Sequence, residues 1–144
     1  TARSALTSVN QARYDRLRIL DGIEFMHDRV LPQLTVKRKA GRVALHPVCS
    51  AIKMNLTAKL EAMALACSAD VLVPVHAGCC GFAGDRGFLV PELTAAATRR
   101  EAAEVNEKPC DGYFCSSRTC EIGLTRSTGH VYRSFVHLLE QATR

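Results

Sequence analysis

Two adjacent cysteines, Cys79 and Cys80, stand between glycines and are the most chemically informative part of the sequence. In a regular strand their side chains would point to opposite faces. The flanking Gly78 and Gly81 relax that limit, because glycine adopts backbone conformations closed to other residues. Both sulfurs could then face one metal or metal cluster. Backbone N–H groups of the loop would also tune such a cluster, so we predict that Gly78 and Gly81 contribute to cofactor binding.

Three apolar runs predict short buried strands, and a cysteine-bearing loop follows each of them. If the strands are parallel, their carboxyl ends meet at one edge of the sheet, where sites form in α/β folds. Cys49, Cys79, Cys80 and Cys120 would then converge and supply four thiolates, the usual complement of an iron–sulfur cluster. The three runs are 43–46, 71–73 and 111–115.

The remaining three cysteines can have structural roles rather than roles as metal ligands. Cys115 ends the third run, so it is either a fifth metal ligand or a strand residue that points into the core. Cys110 precedes the same run and would lie at the opposite edge of the sheet. Cys67 completes an apolar helical stripe, where unpaired cysteine packs as a small hydrophobe. We expect Cys67 and Cys110 to be structural.

Zinc is the competing metal for four thiolates, but structural zinc sites usually take two close ligand pairs of the C-x-x-C kind. Here the ligands come from three widely spaced loops with one directly adjacent pair. A cluster of several irons accommodates such spacing more readily than a single tetrahedral ion. The spacing therefore favours a [4Fe–4S] type of cluster over zinc.

Two histidines, His46 and His76, follow the first and second predicted strands. Each is a candidate metal ligand, a candidate proton donor, or a polar residue that anchors its loop. The structural interpretation is the more common one for such histidines. No hydrolytic triad and no phosphate-binding glycine pattern is present.

Four predicted helices separate or flank the strands. A capping box at Asp21 begins a short helix that Pro32 ends. An amphipathic helix is predicted over 56–67, and an alanine-rich helix from Pro91 to about residue 105. The last helix is predicted over 130–142.

Strands that alternate with helices of this length imply parallel strands joined by right-handed crossovers. The predicted fold class is therefore α/β: a small three-layer domain with a short parallel sheet flanked by helices and with cysteine loops at the carboxyl ends of the strands. We assign residues 21–144 to this domain. Residues 1–20, of which the first ten are polar and unpatterned, are predicted to be an N-terminal extension or linker.

Composition narrows the class of protein further. A chain of 144 residues with seven cysteines and no secretory signal is expected to be cytoplasmic. Thiols stay reduced there, so metal binding or redox chemistry explains the cysteines.

The net charge of +5 includes a basic segment, 37–42, that is predicted to be a solvated turn. No nucleic-acid motif is present, so nucleic acid is not expected as a partner. The first residue is not methionine, which suggests a piece of a longer chain.

The cysteine segments resemble a known family. Gly78-Cys79-Cys80-Gly81, taken with Cys49, is similar to the cysteine-rich "CCG" domain of heterodisulfide reductases and of glycolate oxidase iron–sulfur subunits. A closer resemblance is to the C-terminal iron–sulfur domain of FAD-linked D-lactate dehydrogenases. It covers nearly the whole chain from about residue 21, and its other motifs are His46-Pro47-Val48-Cys49-Ser50, Pro91-Glu92-Leu93 and Ser117-Arg118-Thr119-Cys120-Glu121-Ile122-Gly123.

The resemblance implies an electron-transfer domain whose cluster ligands are Cys49, Cys79, Cys80 and Cys120. Electrons would pass from a reduced FAD on an upstream domain towards a quinone or cytochrome, with ferredoxin-like motifs also upstream. Such a domain is not an autonomous enzyme, and it would lie in the cytoplasm or peripherally on the inner face of the membrane. The family pattern often ends in C-x-x-C, whereas Cys115 and Cys120 are farther apart here, which leaves open the role of Cys115 and the choice between a cubane and a non-cubane cluster.

The sequence is also compatible with two alternative functions. One is a cluster that itself reduces disulfides, with His46 or His76 as proton donor. The other is a zinc-stapled interaction domain in which the metal holds the fold and the basic segment binds a partner.

Overall fold

Four short parallel strands form the centre of the fold, in the order β2-β1-β3-β4. The structure is a computed structural model that describes residues 2–144, with side chains from Arg3 onward. Helices flank the sheet, so the predicted α/β class and the small three-layer architecture are confirmed. The strands are β1 (Ala40–His46), β2 (Ser68–Leu72), β3 (Gly112–Cys115) and β4 (Tyr132–Ser134).

Strand β1 lies at the centre of the sheet and is covered on both faces. Its last four residues, from Val43 to His46, are completely buried. Such a continuous buried run is typical of parallel strands that helices cover on both sides. The last residue of β1, His46, lies opposite Cys115, the last residue of β3.

The direction of strand progression reverses between β1 and β3. The chain moves outward from β1 to β2, then returns across the sheet to β3 and continues to β4. In open parallel sheets this reversal leaves a crevice beyond the carboxyl ends of the two strands, where ligands commonly bind. In this sheet the corresponding position is beyond His46 and Cys115.

The long helices pack in pairs, α4 with α8 and α6 with α7. Because right-handed crossovers in opposite directions place their helices on opposite faces, the two pairs form the outer layers. The predicted helices over 56–67 and from Pro91 are present as α4 and α6. The helices are α1 (Ser8–Tyr14), α2 (Gly22–Phe25), α3 (Cys49–Lys53), α4 (Thr57–Cys67), α5 (Arg86–Leu89), α6 (Pro91–Glu107), α7 (Arg118–Thr128) and α8 (Phe135–Thr143).

The N-terminal region is more regular than the sequence suggested. A 3₁₀ turn, Ala2–Ala5, precedes α1, and no residue of α1 is buried. The segment predicted as an N-terminal extension or linker therefore contains a regular turn and a helix, and the helix contributes no buried residue to the core. Farther on, the Asp21 side chain accepts a hydrogen bond of 2.8 Å from the Ile23 backbone N–H, as the predicted cap requires.

Two other boundaries differ from the prediction. The final helix begins at Phe135 rather than near residue 130, because Tyr132–Ser134 pairs with β3 as a fourth strand. The basic segment is not wholly a turn, since β1 already begins at Ala40 and Arg42 pairs with Asp70 of the neighbouring strand at 2.5 Å. In both places pairing with a neighbouring strand determines the local structure.

Across residues 2–144, none of the helices combines the length and the apolar character that crossing a bilayer would require.

Candidate functional site

Cys80 and Cys120 are brought into direct contact beyond the carboxyl edge of the sheet. Their Sγ atoms are 3.0 Å apart, both residues are 5% exposed, and both thiols are free. Cys80 comes from the long loop between β2 and α5, whereas Cys120 lies in the first turn of α7. The fold therefore joins two thiols that are forty residues apart in the chain.

The two thiols have opposite acid–base properties because they share one hydrogen bond. The hydrogen bond from Cys120 lowers the pKa of Cys80 to about 6, with further help from the Phe82 backbone N–H and the charge on His46, although burial opposes the shift. The same hydrogen bond, together with burial, raises the pKa of Cys120 well above its usual range. The pair therefore favours one thiolate that accepts and one thiol that donates, an arrangement suited to metal ligation or to thiol redox chemistry.

The loop that carries Cys80 is fixed by the buried side chain of Phe82. Its ring is completely buried and fits against Gly87 and Gly123, where an added Cβ would come within 2.5 and 3.2 Å of ring atoms. The Gly87 backbone N–H also donates to the Phe82 carbonyl at 2.9 Å. These contacts hold the Cys80 segment against α7, which carries Cys120.

Gly81 has a backbone reason to be glycine. Its φ is +70°, and an added Cβ would lie 2.7 Å from the Leu93 carbonyl oxygen of α6. The loop turns sharply here, since Ala83 and Gly84 also have positive φ angles of 48° and 76°. Gly81 thus positions Cys80 through close packing.

Cys49 and Cys79 reach the same edge of the sheet but are exposed. Cys49 is the first residue of α3, immediately beyond β1, and Cys79 precedes the buried Cys80. A Cβ at Gly78 would meet nothing within 4 Å, so the space beside Cys79 is open. The described residues therefore present two buried thiols in contact and two exposed thiols on adjoining segments.

The other three cysteines are more enclosed or lie elsewhere. Cys115 is completely buried as the last residue of β3, and burial raises the pKa of its thiol to about 12. Cys110 is half-buried before β3, and its Sγ donates to the Lys108 carbonyl at 3.3 Å. Cys67 is completely buried at the end of α4, as the apolar stripe predicted.

His46 forms a buried pair with Glu101 of α6. Its Nδ1 lies 2.7 Å from Glu101 Oε1, and the two side chains are 0% and 2% exposed. The other ring nitrogen, Nε2, is buried with no hydrogen-bond partner among the described residues, and the hydroxyl of Tyr132 is in the same situation. Burial and the nearby Glu101 charge raise the pKa of Tyr132.

His76 lies in a different environment from His46. It is half-exposed, and its Nδ1 pairs with Glu104 of α6. The same carboxylate accepts hydrogen bonds from the backbone N–H groups of Val75 at 2.7 Å and His76 at 3.2 Å. His76 and Glu104 thus anchor the start of the loop between β2 and α5, residues 73–85, which we call the cysteine loop.

Glu101 was not identified from the sequence, although a signal was present. The buried positions of α6 include Thr94, Thr98, Glu101 and Val105, which recur at helical spacing. A carboxylate on the inward stripe of a helix needs a buried partner. The completely buried His46 is that partner, which sequence alone could not identify because the pair is 55 residues apart.

A cleft lies at the amino edge of the sheet, away from the paired thiols. Its volume is about 500 Å³, and Arg38, Lys39, Cys67 and Asp111 are among its lining residues. Because neither Cys80 nor Cys120 lines it, this cleft is not part of the site.

The donor set suits a thiolate-ligated group in chemical type. Four free thiols follow the carboxyl ends of the strands, an added Cβ at Gly78 would meet nothing within 4 Å, and the buried Nε2 of His46 has no partner among the described residues. Among residues 3–144, no group of three or more His, Cys, Asp or Glu side chains is arranged so that it could hold a metal ion. The arrangement could hold a group that spans several loops, or it could cycle between dithiol and disulfide.

No family model, curated protein or solved structure matches the chain.

Proposed function

We propose that residues 21–144 are an iron–sulfur electron-transfer domain of a flavin-linked 2-hydroxyacid dehydrogenase of the D-lactate or glycolate type. The observation that carries this proposal is the contact between the free thiols of Cys80 and Cys120, with Sγ atoms 3.0 Å apart at the carboxyl edge of the sheet. Two buried thiols on separate elements are suited to act as ligands of a shared group. The family resemblance of the surrounding motifs supplies the reaction class.

The cluster would be held by Cys80 and Cys120 from the buried side and by Cys49 and Cys79 from the exposed side. When bound, an iron–sulfur cluster supplies one-electron transfer at a potential set by its surroundings. The chain's own residues would bind and position the cluster. The Phe82 backbone N–H donates to the Cys80 sulfur, and the loop anchors described above keep the ligands in place.

Iron–sulfur is favoured over zinc by the distribution of the thiols. A structural zinc ion takes four ligands at one tetrahedral point. Here the four thiols come from α3, the cysteine loop and α7, and only two of them are in contact. A cluster of several metal atoms is better suited to ligands spread in this way.

The remainder of the proposed electron path lies outside this chain. The FAD would be on an upstream domain together with ferredoxin-like motifs, and a quinone or cytochrome would accept the electrons. The domain would work in the cytoplasm or at the inner face of a membrane. These parts of the proposal rest on the family resemblance.

A second candidate function is reduction of disulfides at the cluster. The exposure of Cys49 and Cys79, with open space at Gly78, favours it, because a substrate disulfide could approach that side. Turnover of a small disulfide by the reduced, cluster-loaded domain would select this candidate over the electron relay.

The decisive experiment is anaerobic reconstitution of the 144-residue chain with iron and sulfide. We expect a brown protein with iron and sulfide in similar amounts and an EPR signal on reduction. Cys80→Ala should lose both, whereas the matched Cys67→Ala, at a buried thiol remote from the site, should retain them. A chain that binds one zinc ion and no iron would contradict the proposal and select the zinc-stapled interaction domain.

A further inference from the structure

The Cys80 and Cys120 sulfurs are close enough to react with each other. Their separation of 3.0 Å exceeds a disulfide bond of about 2.05 Å by only about 1 Å, a distance that small side-chain rotations could close. The backbones are also close, since a Cβ added at Gly123 of α7 would lie 3.9 Å from the Cys80 carbonyl oxygen. Disulfide formation would therefore require little movement of the loop or the helix.

No other pair of thiols in the described residues shows such a contact. Cys115 donates to the Ser117 carbonyl at 3.5 Å, Cys110 donates to the Lys108 carbonyl, and Cys67 is buried in the core. Cys79 is adjacent to Cys80 in sequence, but adjacent cysteines do not easily bond to each other. The geometry selects one pair out of seven cysteines.

We propose that Cys80 and Cys120 form a peroxide-sensitive dithiol, which closes to a disulfide when the chain carries no cluster and so blocks cluster loading until a thiol reductant reopens it. The disulfide itself follows from the geometry of the pair. Its effect on loading rests on the proposed iron–sulfur function, in which both sulfurs are ligands.

The reaction balances with a hydroperoxide as the oxidant. One of the two thiols loses its proton and attacks a peroxide oxygen as the thiolate, the O–O bond breaks, and a sulfenic acid forms while the departing hydroxide takes up that proton and leaves as water. The second thiol attacks that sulfur, the S–S bond forms, and a second water leaves. The two sulfurs together lose two electrons, and hydrogen peroxide is reduced to two waters. Either sulfur can react first, because both routes give the same disulfide.

The disulfide is tested on the metal-free, fully reduced 144-residue chain, folded and free of small thiols. It is treated with hydrogen peroxide, alkylated and digested with trypsin, and its peptides are analysed by mass spectrometry. Arg118 separates Cys120 from Cys115, so the Cys120 peptide carries a single cysteine. We expect a crosslink between it and the peptide that contains Cys80, with loss of two free thiols per chain.

Matched variants identify the partner within that peptide, which also contains Cys67 and Cys79. Cys79→Ser should still crosslink, whereas Cys80→Ser and Cys120→Ser should not, with circular dichroism verifying that each variant is folded. Fragmentation of the crosslinked peptide places the bond. Absence of the Cys80–Cys120 crosslink in the folded chain, or a bond from Cys120 to Cys79 instead, would overturn the proposal.

The effect on loading is tested by adding iron and sulfide to the reduced and the peroxide-treated chains, with and without dithiothreitol. We expect the oxidised chain to take up iron only after reduction. Full loading of the oxidised chain without reductant would overturn the block. If the disulfide forms but even the reduced chain takes up no iron, the proposed disulfide between Cys80 and Cys120 is supported and the proposed iron–sulfur function is contradicted.

Discussion

His46 Nδ1 lies 2.7 Å from Glu101 Oε1, and both side chains are buried. The pair joins the end of β1 to α6 directly beneath the paired thiols. His46 also lies opposite Cys115 in the sheet, at the point where the strand order reverses. A buried polar contact therefore joins β1 to α6 at this end of the sheet.

We expect Glu101→Ala to lower the free energy of unfolding by about 3 kcal/mol, because it leaves a buried imidazole without its partner. Glu101→Gln, which can retain a hydrogen bond, should lose about 1 kcal/mol. The control is Glu107→Ala at an exposed position of the same helix, which should change stability by less than about 0.5 kcal/mol. Urea denaturation of the metal-free chain measures all three. Equal losses for Glu101→Ala and Glu107→Ala would contradict the buried pair.

Gly81→Ala should destabilise the metal-free chain by about 2 kcal/mol or more, because alanine is strained at a φ of +70° and its Cβ would collide with the Leu93 carbonyl oxygen. Gly78→Ala is the matched control, since its Cβ would meet nothing within 4 Å. Thermal denaturation followed by circular dichroism should show a lower midpoint for Gly81→Ala alone. Equal midpoints for the two variants would show that this loop does not pack against α6.

Cys115→Ala should retain iron after reconstitution, whereas Cys120→Ala should lose it. A ligand must face the shared group. Cys115 is completely buried at the end of β3 and its Sγ donates to the Ser117 carbonyl at 3.5 Å, whereas the Cys120 Sγ contacts the Cys80 Sγ. Iron analysis of the two folded variants separates the alternatives left open for Cys115. Loss of iron from Cys115→Ala with the fold intact would identify it as a fifth ligand.

The anchor at the start of the cysteine loop should weaken in acid. The hydrogen bond from His76 lowers the pKa of Glu104 from its ordinary value of 4.5, so its stabilising contribution is complete above that value and is lost as the pH falls through the lower folded-state pKa. Amide hydrogen exchange at Val75 and His76 should therefore accelerate on acidification, after correction for intrinsic rates. In Glu104→Gln this acid-dependent step should disappear. Persistence of the step in that variant would assign it to another group.

Much of the fold was predictable from local pattern. The apolar runs located β1 and β3, and the stripe over 56–67 identified α4, because burial on two faces or on one helical face leaves a direct trace in sequence. The run over 71–73 was predicted as a buried strand, but β2 spans Ser68–Leu72 at the edge of the sheet and is only partly buried. Strand β4 was missed, since Tyr132–Ser134 is only three residues long. So short a segment has no periodicity of its own, and its pairing with β3 alone makes it a strand.

The sequence by itself determined that cysteine-bearing segments follow three strands, because an apolar run bounded by loop residues is a local pattern. Only the tertiary structure decided which thiols meet. Cys80 and Cys120 are in contact because Phe82 packs against Gly123 and holds the loop after β2 against α7. The same packing encloses Cys115 in the core and pairs His46 with Glu101. Contacts between residues this far apart in the chain depend on how helices and strands pack, which local sequence does not encode.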